Sequence, residues 1–96
     1  MSNVIWTQRA LQDLQRLFLF LKEKNPEAAR KAAIQIREGA DRLQDNPRLG
    51  KPMPDDTGRR ELSTVFGKRG YILRYMLDEN DTPVIIRVWH HLEKRA

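Results

Sequence analysis

The chain has 96 residues, a mass of 11.3 kDa and a formal net charge of +5 at pH 7. This length supports one hydrophobic core, which predicts a single domain over residues 1–96 and excludes a large multi-domain enzyme. The excess of Lys and Arg favours an anionic partner, such as nucleic acid or an acidic protein segment. The chain has no cysteine, which excludes a disulfide framework, a thiolate zinc site and a cysteine nucleophile.

The first elements are a short strand and an amphipathic helix. Residues 4–6 read as the strand, and Thr7 is suited to cap the helix that follows it. The helix is predicted over 8–24, where apolar residues recur every three or four positions on one face: Ala10, Leu14, Leu17, Phe18 and Leu21. The longest apolar run, 17–21, is too short to cross a membrane, and the first residues do not resemble a secretory signal. We therefore expect a cytoplasmic protein that makes no membrane contact.

A second helix is predicted to begin directly after the first. Asn25 is a suitable N-cap, and Pro26 falls at the first helical position, where its missing N–H is tolerated. This helix extends to about residue 46, with an apolar face of Ala29, Ala33, Ile36, Ala40 and Leu43. Because the connection is so short, the two helices are predicted to form an antiparallel hairpin.

The second half of the chain is predicted to form an antiparallel meander. Prolines and glycines within 47–58 predict an irregular loop, and strands are predicted at 59–66, 71–77 and 84–90. The element order is then β-α-α-β-β-β. This is an α+β fold in which the helical hairpin packs on one face of a small, mainly antiparallel sheet.

Alternation along the strands sorts their side chains onto two faces. The helix-covered face is predicted to hold Leu62, Thr64, Phe66, Leu73, Tyr75, Leu77, Ile86 and Val88. The opposite face is predicted to hold Arg59, Glu61, Ser63, Ile72, Arg74, Met76, Ile85, Arg87, Trp89 and His91. Exposed apolar side chains mixed with arginines are typical of a binding surface. Two alternatives stay open: the chain's own termini cover this face, or the register differs by one residue.

Candidate catalytic residues are few. His90 and His91 are the only histidines and lack a third ligand at a recognisable spacing, so no metal site is predicted. No nucleotide-binding motif is present, and no cofactor is predicted. Glu61, Arg74, Arg87 and one histidine could act as base, phosphate clamp and acid in RNA cleavage. The residue types alone favour a simpler alternative, in which Glu61 forms ion pairs with neighbouring arginines.

The assembled pattern resembles the RelE/ParE superfamily of bacterial type II toxins, most closely its ParE-like branch. The resemblance covers nearly the whole chain. It rests on Trp6-Thr7, Ala10, Asp13 and Leu14; on Asn25-Pro26, Ala28 and Ala29; on Leu43, Asn46-Pro47 and Gly50-Lys51-Pro52; and on Gly58-Arg59-Arg60-Glu61-Leu62, Tyr71-Ile72-Leu73-Arg74-Tyr75 and Ile85-Ile86-Arg87-Val88-Trp89-His90.

The resemblance implies a toxin that is masked by a cognate antitoxin in a hetero-oligomer. ParE-like members act on DNA gyrase, whereas RelE-like members enter the ribosome and cut mRNA, and one fold serves both. RelE-like enzymes often carry a tyrosine near the C-terminus, and residues 92–96 contain none. We therefore expect a non-enzymatic gyrase inhibitor. The alternatives are a ribosome-dependent mRNA endonuclease that uses Glu61, Arg74, Arg87, His90 and His91, and a non-toxic basic binding module.

The predicted antitoxin-binding surface follows from the face that mixes arginines with apolar side chains. Its members are Arg59, Glu61, Ile72, Arg74, Met76, Ile85, Arg87 and Trp89. In this prediction the arginines pair with carboxylates of the antitoxin, and Trp89 packs against its apolar residues.

Overall fold

Two helices and five strands make up the computed structural model, which describes residues 3–64 and 70–95. In chain order they are β1 (Ile5–Trp6), α1 (Gln8–Lys24), α2 (Pro26–Asp45), β2 (Lys51–Pro52), β3 (Arg60–Ser63), β4 (Tyr71–Leu77) and β5 (Pro83–His90). The predicted α+β class and the predicted β4 are confirmed. The strand predicted at 59–66 corresponds to β3 at Arg60–Ser63, and the end of that prediction, with Phe66 on the core face, lies outside the described residues.

Side chains cap both helices where the sequence predicts. The Thr7 hydroxyl accepts a hydrogen bond from the N–H of Ala10 at 3.1 Å and donates one to the carbonyl of Ile85 at 3.0 Å. Asn25 alone separates the helices. Its N–H donates to the carbonyl of Leu21 at 2.7 Å, and its side-chain oxygen accepts from the N–H of Glu27 at 3.0 Å. One residue thus ends α1 and begins α2.

The sheet has the strand order β1-β5-β4-β3-β2. β1 runs parallel to β5, and the other neighbouring pairs are antiparallel. β2 was not predicted, because the prolines and glycines around it indicated an irregular loop over the whole of 47–58. Pro52 is compatible with a strand here because β2 is the last strand of the sheet, where a missing N–H costs no ladder bond.

The helices cover one face of this sheet. α1 packs against β5 and α2 packs against β4. The approach of α2 is close at Gly39, where an added Cβ would lie 2.8 Å from Leu73 Cδ1 and 3.0 Å from Thr64 Cγ2. The core between helices and sheet includes the predicted Leu62, Leu73, Tyr75 and Val88.

A β-bulge in β5 changes one predicted face. Arg74 pairs with Arg87, but the next residue, Tyr75, pairs with Ile85, so Ile86 is the extra residue. Alternation along β5 therefore shifts by one residue at the bulge. Ile85, predicted on the open face, is fully buried in the core beneath the helices, and Ile86, predicted in that core, is only half-buried. Both assignments were wrong because they assumed an uninterrupted strand.

The buried Tyr75 holds the segment that leads into β2. Its hydroxyl accepts a hydrogen bond from the N–H of Gly50 at 2.8 Å and donates one to the carbonyl of Pro47 at 2.7 Å. Only glycine fits this approach, since a Cβ at position 50 would lie 2.6 Å from the hydroxyl oxygen. Arg60 donates to the carbonyl of Gly50 at 2.8 Å from the other side. Lys51 is thereby fixed at the edge of the sheet.

Candidate functional site

The face away from the helices carries charged side chains above a buried tryptophan. Trp89 is 3% exposed and Ile72 is 5% exposed, so the predicted exposed apolar patch was wrong. Met76, at 38%, is the predicted apolar member of this face that remains exposed. The guanidinium carbons of Arg74 and Arg87 each lie 4.6 Å from the centroid of the Trp89 ring. These cation–π contacts orient both arginines.

Arg87 is held by a buried carboxylate from α1. Oδ2 of Asp13 accepts hydrogen bonds from Arg87 Nε at 2.8 Å and from the N–H of Val88 at 2.9 Å. Arg16 lies 3.4 Å from Oδ1 of Asp13 and donates to the carbonyl of Val88 at 3.3 Å. β1 does not extend as far as Val88 of β5. There Asp13 accepts from the backbone N–H and Arg16 donates to the carbonyl, as a neighbouring strand would.

Burial of Asp13 raises the pKa of its carboxyl group. The hydrogen bonds from Arg87 and Val88 and the positive charges of Arg87 and Arg16 more than offset this effect, so the pKa lies below its ordinary value of 3.8. Asp13 therefore stays ionised at neutral pH although it is buried. From the sequence, Asp13 was recognised only as part of the motif that resembles the toxin family. Its signal was an acid on the apolar stripe, between Ala10 and Leu17.

A second carboxylate holds Arg74. Oε2 of Glu61 accepts from Arg74 Nε at 2.9 Å, and Nη2 of Arg74 lies 2.8 Å from the same oxygen. The other oxygen of Glu61 lies 3.5 Å from Nη2 of Arg95, in the C-terminal tail. The cross-strand ion pair expected from the residue types is thus present, and Glu61 pairs with Arg74 across β3 and β4.

An open cleft of about 610 Å³ lies beside Glu61. Its walls come from the β2 segment, β3, β4 and the tail, and its charged lining consists of Lys51, Glu61, Arg74 and Arg95. His91 also lines the cleft, and its Nδ1 is buried with no hydrogen-bond partner. Three cationic side chains against one carboxylate make the cleft attractive to anions.

The structure brings together part of the predicted catalytic set. Glu61, Arg74 and His91 line one cleft, whereas His90 and Arg87 do not line it. Nδ1 of His90 accepts from the N–H of Leu92 at 3.1 Å, and its ring meets Tyr71 edge-on at 5.4 Å.

Arg59 lies just before β3 rather than within it. Its guanidinium donates to Asp55 at 3.1 Å and to the Thr57 hydroxyl at 3.0 Å. Over residues 3–64 and 70–95, no three His, Asp or Glu side chains are grouped in a way that could hold a metal ion. Neither described helix is both long and apolar enough to span a bilayer.

The chain thus folds as a helical hairpin on a five-stranded sheet, with Arg74 and Arg87 held over Trp89 on the open face. A family model described as ParE toxin of type II toxin-antitoxin system, parDE, matches residues 4–95. The chain belongs to this family, and it is a type II toxin-antitoxin toxin of the ParE/RelE kind.

Curated relatives and a solved structure agree with this assignment. Toxin RelE1 of Caulobacter vibrioides is 35% identical, covering 97% of this chain and 97% of that protein. Toxin RelE3 of the same species is 36% identical over 99% of this chain and 100% of that protein. The fold matches a chain of the chromosomal ParDE TA system from P. aeruginosa with a TM-score of 0.73 and 24% identity, over 94% of this chain and 96% of that one.

Proposed function

We propose that this toxin arrests growth by binding DNA gyrase in the cytoplasm, without catalysis, and that a cognate antitoxin neutralises it. One observation carries the proposal: the arginines that a nuclease would need as a phosphate clamp already have carboxylate partners. Glu61 holds Arg74 at 2.8 Å, and Asp13 holds Arg87 at 2.8 Å. Paired and stacked side chains form a rigid binding surface, which an inhibitor needs and which requires no proton transfer.

The antitoxin is proposed to bind the face opposite the helices, in a hetero-oligomer. Arg59, Glu61, Arg74, Met76 and Arg87 supply its contacts, with Ile72 and Trp89 supporting them from below. Ile85 is left out because it is buried under the helices. The net charge of +5 favours an acidic antitoxin segment.

Titration with purified antitoxin tests this surface. Arg59→Ala and Met76→Ala are each expected to weaken binding by about tenfold, which corresponds to about 1.4 kcal/mol. Arg9→Ala is the charge-matched control, because Arg9 is an exposed arginine on α1. If all three variants bind as tightly as the wild type, the assigned face is wrong.

A supercoiling assay with gyrase holoenzyme tests the target. We expect the toxin to inhibit supercoiling in a dose-dependent way, and we expect added antitoxin to restore it. In cells, we expect growth arrest with a DNA-damage response. Codon-phased mRNA cleavage at ribosomal A sites would contradict the gyrase proposal. Absence of any growth arrest would support the non-toxic binding module instead.

The second candidate function is ribosome-dependent mRNA cleavage. It is favoured by the convergence of Glu61, Arg74 and His91 on one cationic cleft, where Nδ1 of His91 has no partner. In such a nuclease, loss of a proton-transfer group lowers cleavage by about 10²- to 10⁴-fold. His91→Ala would then abolish cleavage, and His90→Ala is the matched control because His90 does not line the cleft.

A further inference from the structure

A second cavity lies on the other side of the C-terminal tail, over the second half of α1. It has a volume of about 360 Å³, and Arg16 and Glu93 line it together with a mainly apolar set: Leu17, Phe20, Leu21, Tyr71, His90 and Leu92. None of the residues of the proposed antitoxin face lines it. We call it the α1 pocket. Its size falls at the lower end of the range for small-molecule sites and suits one large side chain.

The apolar run 17–21 contains more hydrophobic residues than the core uses. Leu17 is buried, and Phe18 and Leu21 pack against the core. By contrast, Leu19 is 62% exposed and Phe20 is 60% exposed. Phe20 lines the α1 pocket together with Leu92, which is also largely exposed. Exposed apolar side chains around an apolar pocket are typical of a surface that a partner covers.

The charges around Phe20 indicate what kind of partner fits. Arg16, Phe20 and Lys24 recur every four residues and so lie along one face of α1. Nζ of Lys24 lies 5.5 Å from the centroid of the Phe20 ring, and among the described residues it has no carboxylate within ion-pair distance. Arg16 is paired with Glu93, which also accepts from the N–H of His90 at 2.8 Å. The available positive charge beside the pocket is therefore that of Lys24.

The side chain of Tyr71, which lines the α1 pocket, stays uncharged at neutral pH. Burial raises the pKa of this phenol, and the nearby negative charge of Glu93 raises it further. The pocket thus keeps an uncharged aromatic wall for an apolar side chain.

We propose that the α1 pocket receives an apolar side chain from an acidic segment of the target protein, with Lys24 pairing with a carboxylate of that segment. The inference rests on the proposed inhibition of gyrase and adds where the toxin contacts it. The target then binds beside α1, while the antitoxin binds the opposite face of the sheet. The two surfaces are separable by substitution because they share no lining residue.

Phe20→Asp and Leu19→Asp form a matched pair for the test. The two side chains are equally exposed neighbours on α1, and only Phe20 lines the pocket. We expect Phe20→Asp to weaken inhibition of gyrase holoenzyme by about 30-fold, as for a central hot spot, and to leave antitoxin affinity unchanged. We expect Leu19→Asp to inhibit within about twofold of the wild type. Thermal unfolding of both variants checks that each is folded.

The results separate this inference from the gyrase proposal. Equal inhibition by the two variants would overturn the pocket, as would a Phe20→Asp variant that loses antitoxin affinity but still inhibits gyrase. If the wild type arrests growth without inhibiting gyrase, the gyrase proposal fails. The proposal that the α1 pocket binds the target is then kept only if Phe20→Asp abolishes the arrest and Leu19→Asp retains it. A wild type that neither arrests growth nor inhibits gyrase would overturn both.

Discussion

Two carboxylate–arginine pairs flank Trp89, and they differ in what surrounds them. Asp13 holds Arg87, and its side chain is 3% exposed, while Glu61 holds Arg74, and its side chain is 20% exposed. Asp13 also accepts from the N–H of Val88, whereas the second oxygen of Glu61 lies 3.5 Å from Nη2 of Arg95, in the tail. The same chemical pair thus joins a helix to a strand at one end and lines an open cleft at the other. Burial of the carboxylate, rather than residue type, separates the structural pair from the candidate site.

The largest expected effect comes from removing the buried carboxylate. Asp13→Ala leaves Arg87 without its partner and the N–H of Val88 without an acceptor, so we expect a loss of about 3 kcal/mol in the free energy of unfolding. Urea unfolding measures it, and Gln12→Ala is the control because Gln12 is exposed on the same helix. A loss no larger than that of the control would show that the pair contributes nothing to stability.

The next effect is smaller and depends on pH. Asp13→Asn retains an oxygen that can accept from Val88 but removes the charge, so we expect a loss of about 1 to 2 kcal/mol at neutral pH. Because the folded-state pKa of Asp13 is lowered, the stability from its charge is fully present above its ordinary value of 3.8 and is lost as the pH falls below it. The difference between wild type and Asp13→Asn, measured by urea unfolding, should therefore shrink in acid. A difference that stays constant down to about pH 2 would contradict the lowered pKa.

The smallest expected effect on stability comes from the Glu61–Arg74 pair, which lines the open cleft. Glu61→Gln should change the free energy of unfolding by less than about 1 kcal/mol, because the carboxylate is partly exposed to solvent and the amide oxygen of glutamine can still accept from the buried Arg74. Gyrase inhibition by this variant should stay close to that of the wild type, since an inhibitor transfers no proton. A destabilisation equal to that of Asp13→Ala would remove the distinction between the two pairs.

Local signals in the sequence were enough for the helices and for the central strand. The periodic apolar residues and the caps Thr7 and Asn25 gave the bounds of α1 and the start of α2, because both depend on neighbours within four residues. β4 was predicted with its observed bounds for the same reason.

The candidate site was predicted less well because it depends on contacts between distant segments. The bulge at Ile86 reverses the alternation of side chains between the two faces of the sheet. No residue type in 83–90 indicates a bulge, so Ile85 was assigned to the wrong face. The burial of Trp89 depends on two arginines whose positions are fixed by Asp13 and Glu61. The Asp13–Arg87 contact spans 74 positions of the chain. Which histidine lines the cleft was also not evident, since His90 and His91 are neighbours on alternate sides of the strand end.

The edges of the sheet bear on how the chain behaves in solution. Its two outermost strands, β1 and β2, are only two residues long, and β2 includes Pro52, which has no N–H to offer. Beyond β1, the backbone of Val88 is occupied by Asp13 and Arg16. Within the described residues these edges give a second sheet little backbone to pair with, which disfavours edge-to-edge polymerisation and amyloid-like growth. Polymerisation through the sheet edges is therefore not expected for this chain.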